Sequence, residues 1–126
     1  LAIVDKRREK ANQCEVMNII GDVKGKRCLL FDDMVDTAGS LCNAAKAISE
    51  IGGATEVYAC ATHGLFSGPA YERIANSSIE EVVVTNAVPV PLERQTGKVK
   101  VLSVGPLFAK TISNVYNNGS VASLFE

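Results

Sequence analysis

The stretch that decides the fold runs from residue 29 to residue 40 and reads LLFDDMVDTAGS. The run from Cys28 to Phe31 is apolar at every position, which predicts a central strand covered on both faces. Asp32 and Asp33 end this run, and a loop of small residues follows. From Ser40 onward, apolar residues recur at the spacing of a helix, and the stripe consists of Leu41, Ala44, Ala45, Ile48 and Ile51. The stretch therefore predicts a strand, an acidic pair, a loop and a helix in direct succession.

Outward from this stretch, apolar runs alternate with amphipathic segments, which is typical of α/β proteins. Further strands are predicted at residues 1–4, 16–20, 57–61, 82–84 and 99–104, and further helices at about 69–76 and after Pro106. Residues 5–14 are polar and predict an exposed loop. The short turn at residues 21–26 predicts an antiparallel hairpin between strand 16–20 and strand 28–31. Because we find no linker and no internal repeat, residues 1–126 are predicted to form one domain.

The composition narrows the class of protein. With 47% hydrophobic and 21% charged residues, the 126-residue chain has the composition of a globular protein. Thirteen basic and fourteen acidic residues give a net charge of −1, which argues against a generally basic nucleic-acid binder. No apolar run reaches the length of a membrane-spanning helix. Four dispersed cysteines and one histidine argue against a zinc or disulfide framework, and therefore predict reduced thiols and a cytoplasmic protein.

The loop after the acidic pair has the features of a phosphate site. Ligands of open α/β sheets bind outside the carboxyl ends of the strands. Residues 36–40 can turn successive backbone N–H groups toward one point, where the following helix adds partial positive charge and Thr37 and Ser40 add hydroxyl donors. Asp32 and Asp33 can accept hydrogen bonds from sugar hydroxyls. This arrangement predicts a pentose phosphate as ligand, whereas the alternative is an acidic turn that caps the helix with Ser40 as N-cap.

Several segments carry a resemblance to a known family. The stretch DDMVDTAGS at residues 32–40 resembles the phosphoribosyl-binding signature of type I phosphoribosyltransferase folds. In order and spacing, IVDKRR at 3–8, EVMNIIG at 15–21 and ATHGLFSGPA at 61–70 are similar to the C-terminal part of the ribose-phosphate pyrophosphokinase family, as is the tail SVASLF at 120–125. The resemblance implies an α/β fold with a mostly parallel sheet flanked by helices. It also implies a longer enzyme whose N-terminal half is absent from these residues.

The resemblance implies transfer of the diphosphoryl group of ATP to the 1-hydroxyl of ribose 5-phosphate, with Mg²⁺, in a cytoplasmic homo-oligomer that is a hexamer in the family. Asp32 and Asp33 would hold the ribose hydroxyls, and Lys6 and Arg8 would belong to a flexible catalytic loop. No metal ligand is expected within these residues. The remaining carried-over positions would bind the 5-phosphate, and they are Asp36, Thr37, Ala38, Gly39 and Ser40.

Cationic stabilisation suits this chemistry, because diphosphoryl transfer spreads negative charge over oxygen atoms. Lys6 supplies a point charge and Arg8 a fork that can bind two oxygens, whereas the alternative for this run is a solvated basic loop. His63 is interpreted as a residue that orders its own turn, with general base as the alternative.

Two other functions stay open. A phosphoribosyltransferase shares the phosphate loop but consumes phosphoribosyl pyrophosphate, and the basic cluster at residues 6–8 together with residues 62–70 counts against it. A non-catalytic regulatory homologue would not need Lys6 or Arg8. The tail at residues 120–123 resembles a regulatory phosphate or ADP site between subunits, although Ala122 stands where the family often has serine. Acting alone, these 126 residues are expected to bind sugar phosphate weakly and to catalyse little.

Overall fold

The computed structural model describes residues 1–7, 16–95 and 97–125. Strands β1 (Ile3–Arg7) and β2 (Val16–Ile20) form a two-stranded antiparallel sheet. The main sheet has four parallel strands in the order β3, β4, β5, β6. These strands are β3 (Arg27–Val35), β4 (Glu56–Gly64), β5 (Ile79–Thr85) and β6 (Val99–Leu102).

Within the described ranges, three helices accompany the main sheet. Helix α1 (Gly39–Glu50) connects β3 to β4, and helix α2 (Ala70–Ala75) connects β4 to β5. Helix α3 (Gly105–Tyr116) follows β6, and single 3₁₀ turns lie at Leu92–Arg94 and Ala122–Leu124. The parallel sheet with its helices confirms the predicted α/β class. Among the described residues, no helix has both the length and the apolar character needed to span a membrane.

The core lies between one face of the main sheet and helices α1 and α2. Side chains alternate along a strand, so every second residue of the sheet faces these helices. The buried residues on this side include Val57, Ala59, Val82 and Val84 of the sheet, Leu41, Ala45 and Ile48 of α1, and Ile74 of α2. On the opposite face, Leu29 is 52% exposed and Phe31 is 78% exposed.

The prediction of a hairpin between β2 and β3 was wrong. Strand β2 pairs antiparallel with β1, with Ile3 opposite Ile20 and Arg7 opposite Val16. The intervening turn is instead bound to the segment between α1 and β4, because Gly25 N–H donates to the Gly53 carbonyl and Thr55 N–H to the Lys26 carbonyl. This arrangement directs β3 into parallel pairing with β4.

Two further expectations about strands need correction. Strand β1 extends to Arg7, so residues 5–7 do not belong to the loop predicted at residues 5–14, and residues 8–14 lie outside the described residues. Strand β3 is an edge strand of the described sheet, not a central one, and it continues through Val35. Asp32 and Asp33 therefore lie within the strand, because the ladder to β4 continues past the apolar run and pairs Met34 with His63. Backbone pairing, not side-chain polarity, sets the end of this strand.

Candidate functional site

The site is built around residues 36–40, here called the site loop, at the carboxyl end of β3. Three consecutive carbonyls, one at the end of β3 and two at the start of the site loop, accept hydrogen bonds from residues that follow β4 in the chain. Val35 accepts from the N–H groups of Leu65 (2.9 Å) and Phe66 (3.1 Å), and Asp36 accepts from Ser67 N–H (3.0 Å). The Thr37 carbonyl accepts from Nη1 of Arg73 at 2.9 Å. The start of the site loop is thus fixed along one side by residues distant in sequence.

This fixation also orients the amides of the loop. In a planar trans peptide, the C=O of one residue and the N–H of the next point in opposite directions. Because the described residues contain no cis peptide bond, the N–H groups of Asp36, Thr37 and Ala38 are directed away from the β4–α2 segment. Several backbone donors on one side of a turn make a surface suited to an anion.

Ala38 gives the site loop its shape. It has φ 58° and ψ 7°, in the left-handed region, and it is buried. It is the N-cap of α1, and its carbonyl accepts the first helical hydrogen bond, from Cys42 N–H at 3.0 Å. Since alanine has no polar side-chain atom, the N-cap residue does not cap the first amides of the helix. The alternative with Ser40 as N-cap is wrong, because Ser40 lies inside α1.

The two aspartates lie next to the site loop on β3, and both are exposed. Oδ1 of Asp32 accepts a hydrogen bond from Asp33 N–H at 2.9 Å. On a strand, neighbouring residues point to opposite faces, so the structure does not direct the two carboxylates to the same side of the sheet. Asp32 and Asp33 thus lie just before Asp36 in the chain, but their two side chains leave opposite faces of β3.

His63 links β4 to the acidic strand. Its Nδ1 lies 3.0 Å from the carbonyl oxygen of Asp33. Because a carbonyl only accepts, this hydrogen bond requires the proton on Nδ1. The histidine therefore orders the adjacent strand, not its own turn as predicted.

Of the two predicted catalytic cations, the structure describes the backbone of one and does not describe the other. The backbone of Lys6 lies on β1, opposite Met17, and not in a loop. Arg8 lies outside the described residues. Their roles as catalytic residues stay predictions.

Arg73 was missed by the sequence analysis, which used residues 61–70 for the resemblance and assigned them no contact with the site loop. Arg73 borders a groove of about 720 Å³ between α1 and α2, which also contains Cys42. Burial raises the pKa of the Cys42 thiol, and a hydrogen bond with Ser77 and the charge of Arg73 oppose this effect. Gly64 allows the ring of Phe66 to pack against the end of β4, since a β-carbon there would lie 2.5 Å from that ring. No signal in the sequence marks Arg73.

The implied Mg²⁺ finds no ligand cluster in the part of the chain that the structure describes. No three His, Cys, Asp or Glu side chains of residues 1–7, 16–95 and 97–125 come together in a way that would hold a metal ion. Mg²⁺ keeps several waters and is often bound by one or two carboxylates together with substrate phosphates.

Comparisons with known proteins agree with the fold. Residues 4–126 match the family described as phosphoribosyl synthetase-associated domain. A ribose-phosphate pyrophosphokinase from Caldanaerobacter subterraneus subsp. tengcongensis is 58% identical over 125 residues, which are 99% of this chain and 39% of that relative. The ribose-phosphate pyrophosphokinase of Campylobacter jejuni is 57% identical over 125 residues, covering 99% of this chain and 40% of that protein.

A solved structure extends the comparison to the fold. The crystal structure of phosphoribosylpyrophosphate synthetase from Mycobacterium smegmatis matches with a TM-score of 0.76 and 43% identity, over 82% of this chain and 35% of that chain. The fold implied by the resemblance is therefore confirmed. The chain spans about 39% of the length of the Caldanaerobacter relative. Since the family match covers nearly every residue, the chain belongs to the phosphoribosyl synthetase-associated domain family.

Proposed function

We propose that the site loop binds the 5-phosphate of ribose 5-phosphate. The observation that carries this proposal is the set of three consecutive carbonyls, of Val35, Asp36 and Thr37, that are all bound from one side. The following amides face the other side, where the first turn of α1 adds its partial positive charge. Gly39 and Ser40 stand in that first turn, and the Ser40 hydroxyl is proposed as a further donor to the phosphate.

Asp32 and Asp33 are proposed to bind the ribose. An ionised carboxylate is an acceptor, so it suits hydroxyls and disfavours phosphate. Because the two side chains leave opposite faces of β3, one of them is proposed to contact the hydroxyls directly and the other to act from the far face. Asp32 is the better placed for direct contact, because it lines a cavity that reaches the start of α1. Its side chain leaves the same face of β3 as that of Met34.

The complete protein is proposed to form phosphoribosyl pyrophosphate. The oxygen of the ribose 1-hydroxyl attacks the β-phosphorus of ATP, the bond from that phosphorus to the α,β-bridging oxygen breaks, and AMP leaves with the bridging oxygen. The hydroxyl proton is released. Lys6 and Arg8 are proposed to stabilise the charge on the transferred group. Mg²⁺ is proposed to enter as the complex with ATP, and the names of the relatives support this reaction. A cytoplasmic homo-oligomer, hexameric as the resemblance implies, is the proposed working form.

Calorimetry on the complete protein tests the binding step. Ribose 5-phosphate, ribose and orthophosphate are titrated separately. We expect ribose 5-phosphate to bind at least about tenfold more tightly than ribose, because charge-assisted hydrogen bonds to the phosphate are lost with ribose. Equal affinities for ribose 5-phosphate and ribose would contradict the proposal that the site loop binds the phosphate.

A Lys6→Ala variant tests the chemical step. The complete protein is incubated with ATP, Mg²⁺ and ribose 5-phosphate, and AMP is measured. We expect turnover to fall by on the order of a hundredfold or more, while the affinity for ribose 5-phosphate changes little. Unchanged turnover would exclude Lys6 from the mechanism. A parallel assay with a nucleobase and phosphoribosyl pyrophosphate detects a phosphoribosyltransferase instead.

A further inference from the structure

Arg73 contacts the side of the site loop that also accepts hydrogen bonds from the β4–α2 segment. It lies on α2, and its Nη1 donates to the Thr37 carbonyl at 2.9 Å, across 36 positions of sequence. Its own helix is held at the same place, because Ser67, just before α2, donates to the Asp36 carbonyl. The guanidinium is thus a charged group on the side of the loop opposite to the directed amides.

Gly39 allows this close approach. A β-carbon on Gly39 would lie 3.2 Å from Nη1 of Arg73 and 3.9 Å from its Cζ. The first distance is tighter than ordinary van der Waals contact, so a side chain at position 39 would require the guanidinium to shift by a few tenths of an ångström. The glycine therefore serves the position of Arg73 as well as the start of α1.

The contact acts on a single peptide group. The carbonyl of Thr37 and the N–H of Ala38 belong to the same planar unit, and a hydrogen bond at one end polarises the other end. A charged donor has a stronger effect than a neutral one. A guanidinium at the Thr37 carbonyl therefore makes the Ala38 amide a better donor and also holds its direction.

We propose that Arg73 is a positioning residue for the phosphate of the sugar, acting through the Thr37–Ala38 peptide without touching the substrate. This role rests on the proposed function of the site loop. It predicts that the charge of Arg73 affects the affinity for the phosphorylated sugar and leaves ATP binding alone.

The test compares Arg73→Met and Arg73→Gln with Arg27→Met in the complete protein. Arg27 is a matched control, because it lies at the other end of β3 and pairs with Glu56 at 3.0 Å. We expect Arg73→Met to raise the KM and Kd for ribose 5-phosphate by about tenfold, with kcat and the KM for ATP within about twofold of the unmodified protein. Arg73→Gln keeps a donor without charge, and we expect a loss of roughly threefold. Arg27→Met should change none of these values.

The ³¹P resonance of bound ribose 5-phosphate provides a second readout, since it reports the hydrogen bonds to the phosphate. It should shift in both Arg73 variants and not in Arg27→Met. If the unmodified protein does not bind ribose 5-phosphate, the proposed function fails. If it binds and Arg73→Met binds equally well, the role of Arg73 is overturned while the proposed function stands. Should Arg73→Met not fold, an unchanged affinity and resonance in Arg73→Gln would overturn the role in the same way.

Discussion

Two strand-to-helix connections of this molecule have the same position in the topology but different chemistry. Helix α1 follows β3 and helix α3 follows β6, each at the carboxyl end of a parallel strand, and each helix has 12 residues. In both, the N-cap carbonyl accepts the first helical hydrogen bond at 3.0 Å, Ala38 from Cys42 and Val104 from Phe108. Elementary topology alone would thus assign both connections to the same kind of anion site.

The difference lies in which groups accept hydrogen bonds from the first backbone amides of each helix. At the start of α3, Val104 N–H donates to Oδ1 of Asn86 at 2.9 Å, and Gly105 N–H donates to Oγ of Ser103 at 3.1 Å. At the start of α1, the N-cap is an alanine in the left-handed region, whereas Val104 has φ −86°. Protein side chains thus use the amides of α3, while the backbone of the site loop is fixed through its carbonyls. An anion site therefore requires more than a helix start at the sheet edge.

The largest expected effect comes from exchanging the two N-cap residues. Ala38→Val places a β-branched side chain in a buried, left-handed position, and we expect the free energy of unfolding to fall by about 2–3 kcal/mol. We expect the affinity for ribose 5-phosphate to fall by about tenfold or more, because the amides lose their alignment. Denaturant unfolding and calorimetry measure the two quantities.

Val104→Ala is the reciprocal control. Val104 is half-buried with an ordinary backbone, so loss of its methyl groups should cost about 1 kcal/mol of stability. The affinity for ribose 5-phosphate should stay within about twofold of the unmodified protein. Equal losses of affinity in Ala38→Val and Val104→Ala would contradict the distinction between the two helix starts.

An intermediate effect is expected from removing the cap of α3. In Asn86→Ala, the Val104 amide loses its side-chain acceptor, and we expect thermal or denaturant unfolding to show a loss of about 1 kcal/mol. The affinity for ribose 5-phosphate should not change by more than about twofold, since no hydrogen bond of the site loop is removed. A loss of affinity comparable to that of Ala38→Val would show that the β6–α3 connection contributes to binding.

Sequence patterns predicted the elements that depend on local signals. The apolar stripe of α1 and Pro106 at the start of α3 placed both helices, and the small residues after β3 placed the site loop. The helical pattern was the same kind of signal in both helices, yet α1 buries four residues and the described structure of α3 buries none. An amphipathic pattern shows that a face is apolar, but not which surface covers it.

Contacts between distant segments were not predictable. The turn hydrogen bonds of Gly25 and Thr55 accompany the parallel pairing of β3 with β4, and no local pattern encodes them. Arg73 contacts the site loop across 36 residues, and an arginine on a short helix reads as an ordinary surface residue. The left-handed conformation of Ala38 could not be predicted from the sequence either, because glycine or asparagine would be the residue expected in that conformation.

The smallest expected effect concerns that conformation directly. Glycine adopts the left-handed region without steric cost, so Ala38→Gly relieves about 1 kcal/mol of strain. Glycine also gives the unfolded chain more freedom, which costs about 0.4–1 kcal/mol. The two terms oppose each other, so we expect the free energy of unfolding to change by less than about 0.5 kcal/mol. Because the amide and its direction remain, the affinity for ribose 5-phosphate should be retained, as calorimetry would show. If Ala38→Gly lost affinity as Ala38→Val does, the buried methyl group of Ala38, and not the backbone conformation it adopts, would be what the phosphate site requires.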